Sequence, residues 1–148
     1  MALIDLPSTA TVAERADAVL DTLRALESAD YIGEPVSQLQ HGLQAGALGL
    51  STGDVELGLA GLLHDLGHVA DPAAPQMEEL GAVDHEGIGR SVLRGLGFSD
   101  RVADLVGMHV DAKRYLARKG GYAGKLTSAS ARTTTARAAC TRSRAFGC

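Results

Sequence analysis

The feature that most constrains this chain is the stretch LLHDLGH at residues 62–68. It places two imidazoles and a carboxylate at the end of an apolar run that begins at Leu57. Positions i and i+4 lie on one face of a helix, so His64 and His68 are predicted to point the same way, with Asp65 beside them. Unpaired polar groups are costly among apolar neighbours, and the spacing suits metal ligands. The stretch therefore favours a metal site over two hydrogen-bonded core histidines.

The size and composition predict one globular domain. The chain has 148 residues, of which 45% are hydrophobic and only 3% aromatic, so the core must consist of Leu, Val, Ala and Ile. No apolar run approaches the ~20 residues of a membrane span, and the start lacks the pattern of a signal peptide. Cys140 and Cys148 lie near the end and fit neither a disulfide framework nor a paired-thiol zinc site. We expect a cytoplasmic protein without a membrane partner.

Charge divides the chain into two parts. Residues 1–111 hold all 18 acidic and 5 of the 14 basic residues, a net charge of −13, whereas residues 112–148 hold nine basic residues and no acid. A basic tail can bind nucleic acid, but this one lacks interleaved aromatic residues, which argues against that partner.

Apolar periodicity predicts three helices in the first half of the chain. The first covers 11–28. The second is predicted to begin at Glu34-Pro35, where proline is tolerated. It is predicted to carry four apolar residues on one side with His41 among them: Val36, Leu39, Leu43 and Leu48. The third follows a turn at 51–54 and carries His64, Asp65 and His68, with Gly67 loosening its end.

The second half is predicted to continue in the same way. A surface loop covers 71–83, and Asp84 caps a fourth helix with His85 in its first turn. A fifth helix starts at about Asp100, and a weaker sixth covers 113–118. No run alternates in β-branched residues, so the predicted class is all-α, with five to six helices.

All five histidines fall at helical positions of this predicted core: His41, His64, His68, His85 and His109. A small core has little reason to hold five imidazoles unless something ligates them. Imidazole suits Zn, Fe, Mn and Ni, and a carboxylate can bridge two ions. The absence of core cysteine argues against structural zinc. A redox metal or a hydrolytic metal pair fits better.

Five segments, taken in order, resemble the HD-domain superfamily of metal-dependent phosphohydrolases. More narrowly, they resemble its mixed-valent diiron oxygenases, which cleave carbon–phosphorus bonds in aminophosphonates. The segments are DYIGE at 30–34, QLQH at 38–41, LLHDLGH at 62–68, GAVD at 81–84 and HVDAKRYL at 109–116. The resemblance extends from about Leu23 to Thr133 and implies an HD-domain helical bundle.

The resemblance also implies roles for individual residues. It assigns an Fe(II)/Fe(III) pair, with Mn, Ni, Co or Mg as alternatives, and Asp65 as the bridging ligand. The implied iron ligands are His41, His64, Asp65, His85 and His109. The implied residues facing substrate are His68 and Tyr31, which are catalytic, and Glu34, Lys113, Ser130 and Thr133, which bind the substrate.

Simpler interpretations exist for several of these residues. Tyr31 and Glu34 also suit a turn followed by an acid at a helix N-terminus, where the dipole favours it. Lys113 alone suits a solvated surface charge. Ser130 and Thr133 lie in a stretch rich in Ser, Thr and Ala, where chance matches are easy.

The implied reaction is cleavage of a 1-hydroxy-2-aminoethylphosphonate-type substrate by dioxygen, giving phosphate and glycine or a methylated glycine. Two alternatives stay open: a metal-dependent HD phosphohydrolase acting on a phosphate ester or nucleotide, and an inactive fragment. The family completes its metal set with a later aspartate, yet no acid follows Asp111 here. We therefore expect an HD domain over 1–133 that lacks its C-terminal helices. Residues 134–148 are then a basic low-complexity tail, either disordered or read out of frame.

Overall fold

A computed structural model describes residues 3–29, 35–77 and 81–119 of the chain. Within these ranges the structure consists of six α-helices and one short pair of antiparallel strands, which confirms the predicted all-α class. The elements are α1 (Val12–Ala25), α2 (Gln38–Leu50), α3 (Val55–Leu63), α4 (Gly67–Ala70), β1 (Gln76–Met77), β2 (Gly81–Ala82), α5 (His85–Gly95) and α6 (Asp100–Arg118).

Side-chain caps fix where the first two helices begin. Thr11 forms a reciprocal capping box with Glu14 at the start of α1, and Ser37 forms one with Gln40 at the start of α2. The prediction that the second helix begins at Glu34-Pro35 is therefore wrong, because the box places the first turn after Ser37. The first helix also ends earlier than predicted, and Leu26–Ser28 forms a separate 3-10 turn.

Helices α2 and α3 pack backbone against backbone along a surface lined by glycine. A Cβ added at Gly49 would lie 2.6 Å from the carbonyl oxygen of Leu57, so only glycine permits this approach. Of the leucines predicted to share one side of this helix, Leu39 packs against the core, whereas Leu43 is 53% and Leu48 72% exposed. Side-chain hydrophobicity is thus a poor guide to the buried face of α2.

The histidine-containing stretch is not one helix. Helix α3 ends at Leu63, residues 64–66 form a turn, and α4 covers only one turn after it. The i, i+4 spacing of His64 and His68 therefore spans this turn instead of one continuous helix. Gly67 does not loosen a helix end either, because a Cβ there would overlap the carbonyl oxygen of His85. Its role is to let α4 contact the first turn of α5.

The second half differs from the prediction in three details. The predicted surface loop includes the β1–β2 pair, in which Gln76 lies opposite the fully buried Ala82. Asp84 precedes α5 with a left-handed backbone, φ 60°, and its side chain makes no capping hydrogen bond. The predicted fifth and sixth helices are one continuous helix, α6.

The core lies where α3, α5 and α6 meet, with α1 packed against it. Its largest fully buried side chains are Leu63, Leu66, Leu93, Val102 and Val106. Among the described helices, none combines the length and hydrophobicity that crossing a membrane would require.

Candidate metal centre

Five predicted ligands from four parts of the chain meet at one side of this core. His41 comes from α2, His64 and Asp65 from the turn after α3, His85 from the first residue of α5, and His109 from α6. His64 and His85 are buried, while the other three are half-buried. The tight α2–α3 packing and the Gly67 contact are what bring the histidines of separate helices together.

The two carboxylate oxygens of Asp65 face different pairs of histidines. Its Oδ2 lies 3.1 Å from Nε2 of His64 and 3.8 Å from Nε2 of His41. Its Oδ1 lies 3.5 Å from Nε2 of His109 and 3.7 Å from Nε2 of His85. Within the pairs, the Nε2 atoms are 3.2 Å apart for His41–His64 and 3.1 Å apart for His85–His109. The result is two sets of three ligand atoms that share one carboxylate.

The shorter of these separations, 3.1 to 3.5 Å, are close to those of atoms coordinated to a common metal ion, and the two longer ones, 3.7 and 3.8 Å, are wider. For bonds of about 2.1 Å, two ligand atoms lie about 3.0 Å apart at a right angle and about 3.4 Å apart at the tetrahedral angle. Imidazole nitrogen and carboxylate oxygen suit first-row divalent ions. The His/Asp cluster therefore fits a metal site.

Hydrogen bonds from Nδ1, the ring nitrogen that faces away from Asp65, orient two of the imidazoles for metal binding. Nδ1 of His64 lies 2.7 Å from the carbonyl oxygen of Gly61, and Nδ1 of His109 lies 2.7 Å from that of Val106. A carbonyl oxygen only accepts, so each Nδ1 donates its hydrogen. In the neutral ring this leaves a lone pair on Nε2, the atom that faces Asp65.

His68 has the opposite tautomer. Its Nδ1 accepts a hydrogen bond from the backbone N–H of Ala82 at 3.1 Å, so the neutral ring carries its hydrogen on Nε2. The ring stacks on His85 with centroids 3.9 Å apart. Asp65, His68 and His85 also have possible ligand atoms close together. In this tautomer, however, Nε2 of His68 carries a hydrogen and is a hydrogen-bond donor, so it has no lone pair for a metal ion.

Burial keeps three of the imidazoles uncharged. It is the largest cause that lowers the pKa of His41 to about 4, of His85 to about 2 and of His109 to about 3. Burial alone would raise the pKa of Asp65, but neighbouring groups, His64 first among them, hold it well below 3.8. At neutral pH these groups are thus neutral imidazoles around an ionised carboxylate, which is the state that binds cations.

The metal-free protein is expected to lose stability as the pH falls below 6.5. Histidines of the unfolded chain take up protons near that pH, whereas folded His41, His109 and His85 stay neutral down to about 4, 3 and 2. The unfolded state then binds more protons than the folded state. As the pH falls, each such histidine lowers the free energy of unfolding by about 1.4 kcal/mol per pH unit. Protonation of unfolded Asp65 adds to the loss below its ordinary 3.8.

Urea unfolding of metal-free protein at a series of pH values measures this dependence. A steady fall of the unfolding midpoint on acidification is expected, with a shallower slope in a His109→Asn variant. A urea midpoint that does not change between about pH 7 and pH 5 would contradict the lowered pKa values of the histidines in the folded protein.

The remaining predicted site residues fall into two groups. Lys113 lies one turn beyond His109 on α6, is half-buried, and its positive charge contributes to the lowered pKa of His109, His85 and His41. The others lie outside the described residues: Tyr31, Glu34, Ser130 and Thr133.

Sequence reasoning missed Glu86, which is 5% exposed and lies beside His85. An acid in the first turn of a helix is common because the dipole favours it, so the position alone gave no signal. Its adjacency to a predicted ligand histidine was the available clue.

Comparison with known proteins gives three matches. The HD domain family model matches residues 38–140. An uncharacterized protein of Acanthamoeba polyphaga mimivirus is 34% identical over 111 residues, which cover 73% of this chain and 51% of that protein. The [1-hydroxy-2-(trimethylamino)ethyl]phosphonate dioxygenase (glycine-betaine-forming) of Leisingera caerulea is 38% identical over 104 residues. These residues cover 68% of this chain and 53% of that enzyme. The chain thus spans about half the length of these curated relatives.

Proposed function

This chain belongs to the HD domain family, and we propose that it serves as a diiron oxygenase that cleaves the carbon–phosphorus bond of a 1-hydroxy-2-aminoethylphosphonate-type substrate. The observation that carries the proposal is that the two carboxylate oxygens of Asp65 face different histidine pairs. One oxygen faces His41 and His64, and the other faces His85 and His109. A bridging carboxylate between two nitrogen-rich positions is suited to a pair of ions. The similarity to a phosphonate dioxygenase supports a redox-active metal, and the family resemblance implies iron.

In the proposed centre, His41, His64 and Oδ2 of Asp65 would hold one iron, and His85, His109 and Oδ1 the other. When bound, the iron pair supplies the redox chemistry that lets dioxygen oxidise the carbon bearing phosphorus. The hydroxyphosphonate and one dioxygen become a carboxylic acid and phosphate, which balances all atoms. The carbon–phosphorus bond and the carbon–hydrogen bond of the hydroxyl-bearing carbon both break, and each supplies one electron pair to the reduction of dioxygen. The carbon and the phosphorus each gain one oxygen atom, and the hydrogen leaves as a proton.

The charges around the cluster support a phosphonate as the substrate. Lys113 lies close enough for its charge to lower the pKa of His41 and His109, so its ammonium group can hold an anionic head next to the metals. His68 offers its Nε2–H as a further donor, from a ring held by Ala82 and stacked on His85. For Tyr31, Glu34, Ser130 and Thr133, the proposed roles rest on the family resemblance alone.

A hydrolytic reaction is the second candidate, and the same geometry favours it. Two metal positions joined by one carboxylate also suit attack of a metal-bound water on a phosphate ester or nucleotide. Mn, Co, Ni or Mg would then replace iron. Such a hydrolase would turn over without oxygen, whereas the oxygenase needs it.

The deciding experiment loads the protein with Fe(II) under anaerobic conditions and measures phosphate release from [1-hydroxy-2-(trimethylamino)ethyl]phosphonate and from its primary amine. We expect phosphate and the matching glycine only after oxygen is admitted. A His68→Gln variant that retains iron should lose most of the turnover. Release of phosphate from esters without oxygen would support the hydrolase. Protein that holds less than one metal equivalent and releases no phosphate would point to an inactive fragment.

A further inference from the structure

Glu86 is a buried acid at the edge of the candidate metal centre. Its Oε2 lies 3.6 Å from Nδ1 of His85, in the first turn of α5. The other nitrogen of that ring, Nε2, faces Oδ1 of Asp65 and Nε2 of His109. One imidazole therefore lies between a buried carboxylate on one side and the ligand atoms of a metal position on the other.

This arrangement differs from that of the other oriented histidines. His64 and His109 have a backbone carbonyl oxygen at Nδ1, whereas His85 has the buried carboxyl group of Glu86 near Nδ1. At 3.6 Å the contact is electrostatic and longer than a hydrogen bond. A negative charge behind Nδ1 keeps the hydrogen on that nitrogen and makes Nε2 a stronger ligand.

We propose that Glu86 is a positioning residue for the metal position formed by His85, His109 and Oδ1 of Asp65. The charge of its carboxylate strengthens ion binding at this position and not at the position of His41 and His64. The proposal rests on the two-metal centre proposed above. The competing explanation is a structural one, in which Glu86 is present only because the N-terminus of α5 favours an acid.

Co(II) titration in two backgrounds separates these explanations. The His41→Ala variant leaves the His85–His109 position intact, and the His109→Ala variant leaves the His41–His64 position intact. Glu86→Gln, which keeps the size and removes the charge, is then added to each. We expect Co(II) affinity to fall about 10- to 100-fold in the His41→Ala background and to change less than about 2-fold in the His109→Ala background.

Binding is measured under anaerobic conditions by calorimetry and by the visible absorption of Co(II), without any assay of activity. Glu86→Asp keeps the charge and should recover part of the affinity that Glu86→Gln loses. Equal weakening in both backgrounds, or no weakening in either, would overturn the role of Glu86. If the unmodified chain binds two Co(II) ions in those cases, the metal centre itself stands. If it binds none, both proposals fail.

Discussion

Replacing Asp65 with alanine is expected to remove metal binding from both proposed positions, the largest effect on metal binding expected among the residues that the structure describes. Each oxygen of Asp65 belongs to a different set of ligands, so one substitution removes an anionic ligand from both positions. One histidine of each remaining pair is neutral, because burial lowers the pKa of His41 to about 4 and of His85 to about 2. Two neutral imidazoles alone hold a divalent ion weakly. The metal affinity at both positions should fall by more than about 100-fold, which exceeds the usual loss when a residue that only hydrogen-bonds to a ligand is replaced.

Metal analysis after equilibrium dialysis measures this effect. His41→Ala and His109→Ala should each remove one ion and leave the other, so the three variants together test whether Asp65 is shared. Asp21→Ala is the matched control, since that carboxylate is exposed on α1 and pairs with Arg24. An Asp65→Ala variant that keeps one full equivalent would show that only one metal position exists.

The ligand residues could be found from the sequence because imidazole and carboxylate are conspicuous within apolar runs. His64 and Asp65 stand at the end of such a run, and burying them unpaired would be costly. Their pairing around the two oxygens of Asp65 could not be derived in the same way. It depends on the turn that separates α3 from α4, which the i, i+4 spacing concealed. Glu86 was missed because helix N-termini attract acids for reasons unrelated to metals.

The all-α class and the approximate positions of most helices were also predictable, while their exact division and packing were not. Apolar periodicity located α1, α2 and α6, but it placed Leu43 and Leu48 in a core that they do not enter. The buried face of α2 is made of glycine, which carries no hydrophobic signal in the sequence. Backbone contact between α2 and α3 is a property of the pair of helices, so a pattern read along one helix cannot show it.

Replacing Gly67 with alanine is expected to be strongly destabilising, although it replaces none of the candidate ligand residues. The added methyl group would overlap the carbonyl oxygen of His85 and would also lie 2.8 Å from the amide nitrogen of Gly89. Both are backbone atoms of α5, which cannot rotate away as a side chain can. Forcing an extra carbon into such a contact costs about 3 kcal/mol or more, which for a chain of this length lowers the melting temperature by roughly 10 °C.

Thermal unfolding of metal-free protein measures this cost, with Gly95→Ala as the control. Gly95 lies in the same region of sequence, at the end of α5, and a Cβ there would meet nothing within 4 Å. Because alanine is the better helix former, the control should be neutral or stabilised by up to about 1 kcal/mol. Gly67→Ala should also weaken metal binding, since separating α4 from α5 moves His85 away from Asp65. Equal melting temperatures for the two variants would show that Gly67 does not set this contact.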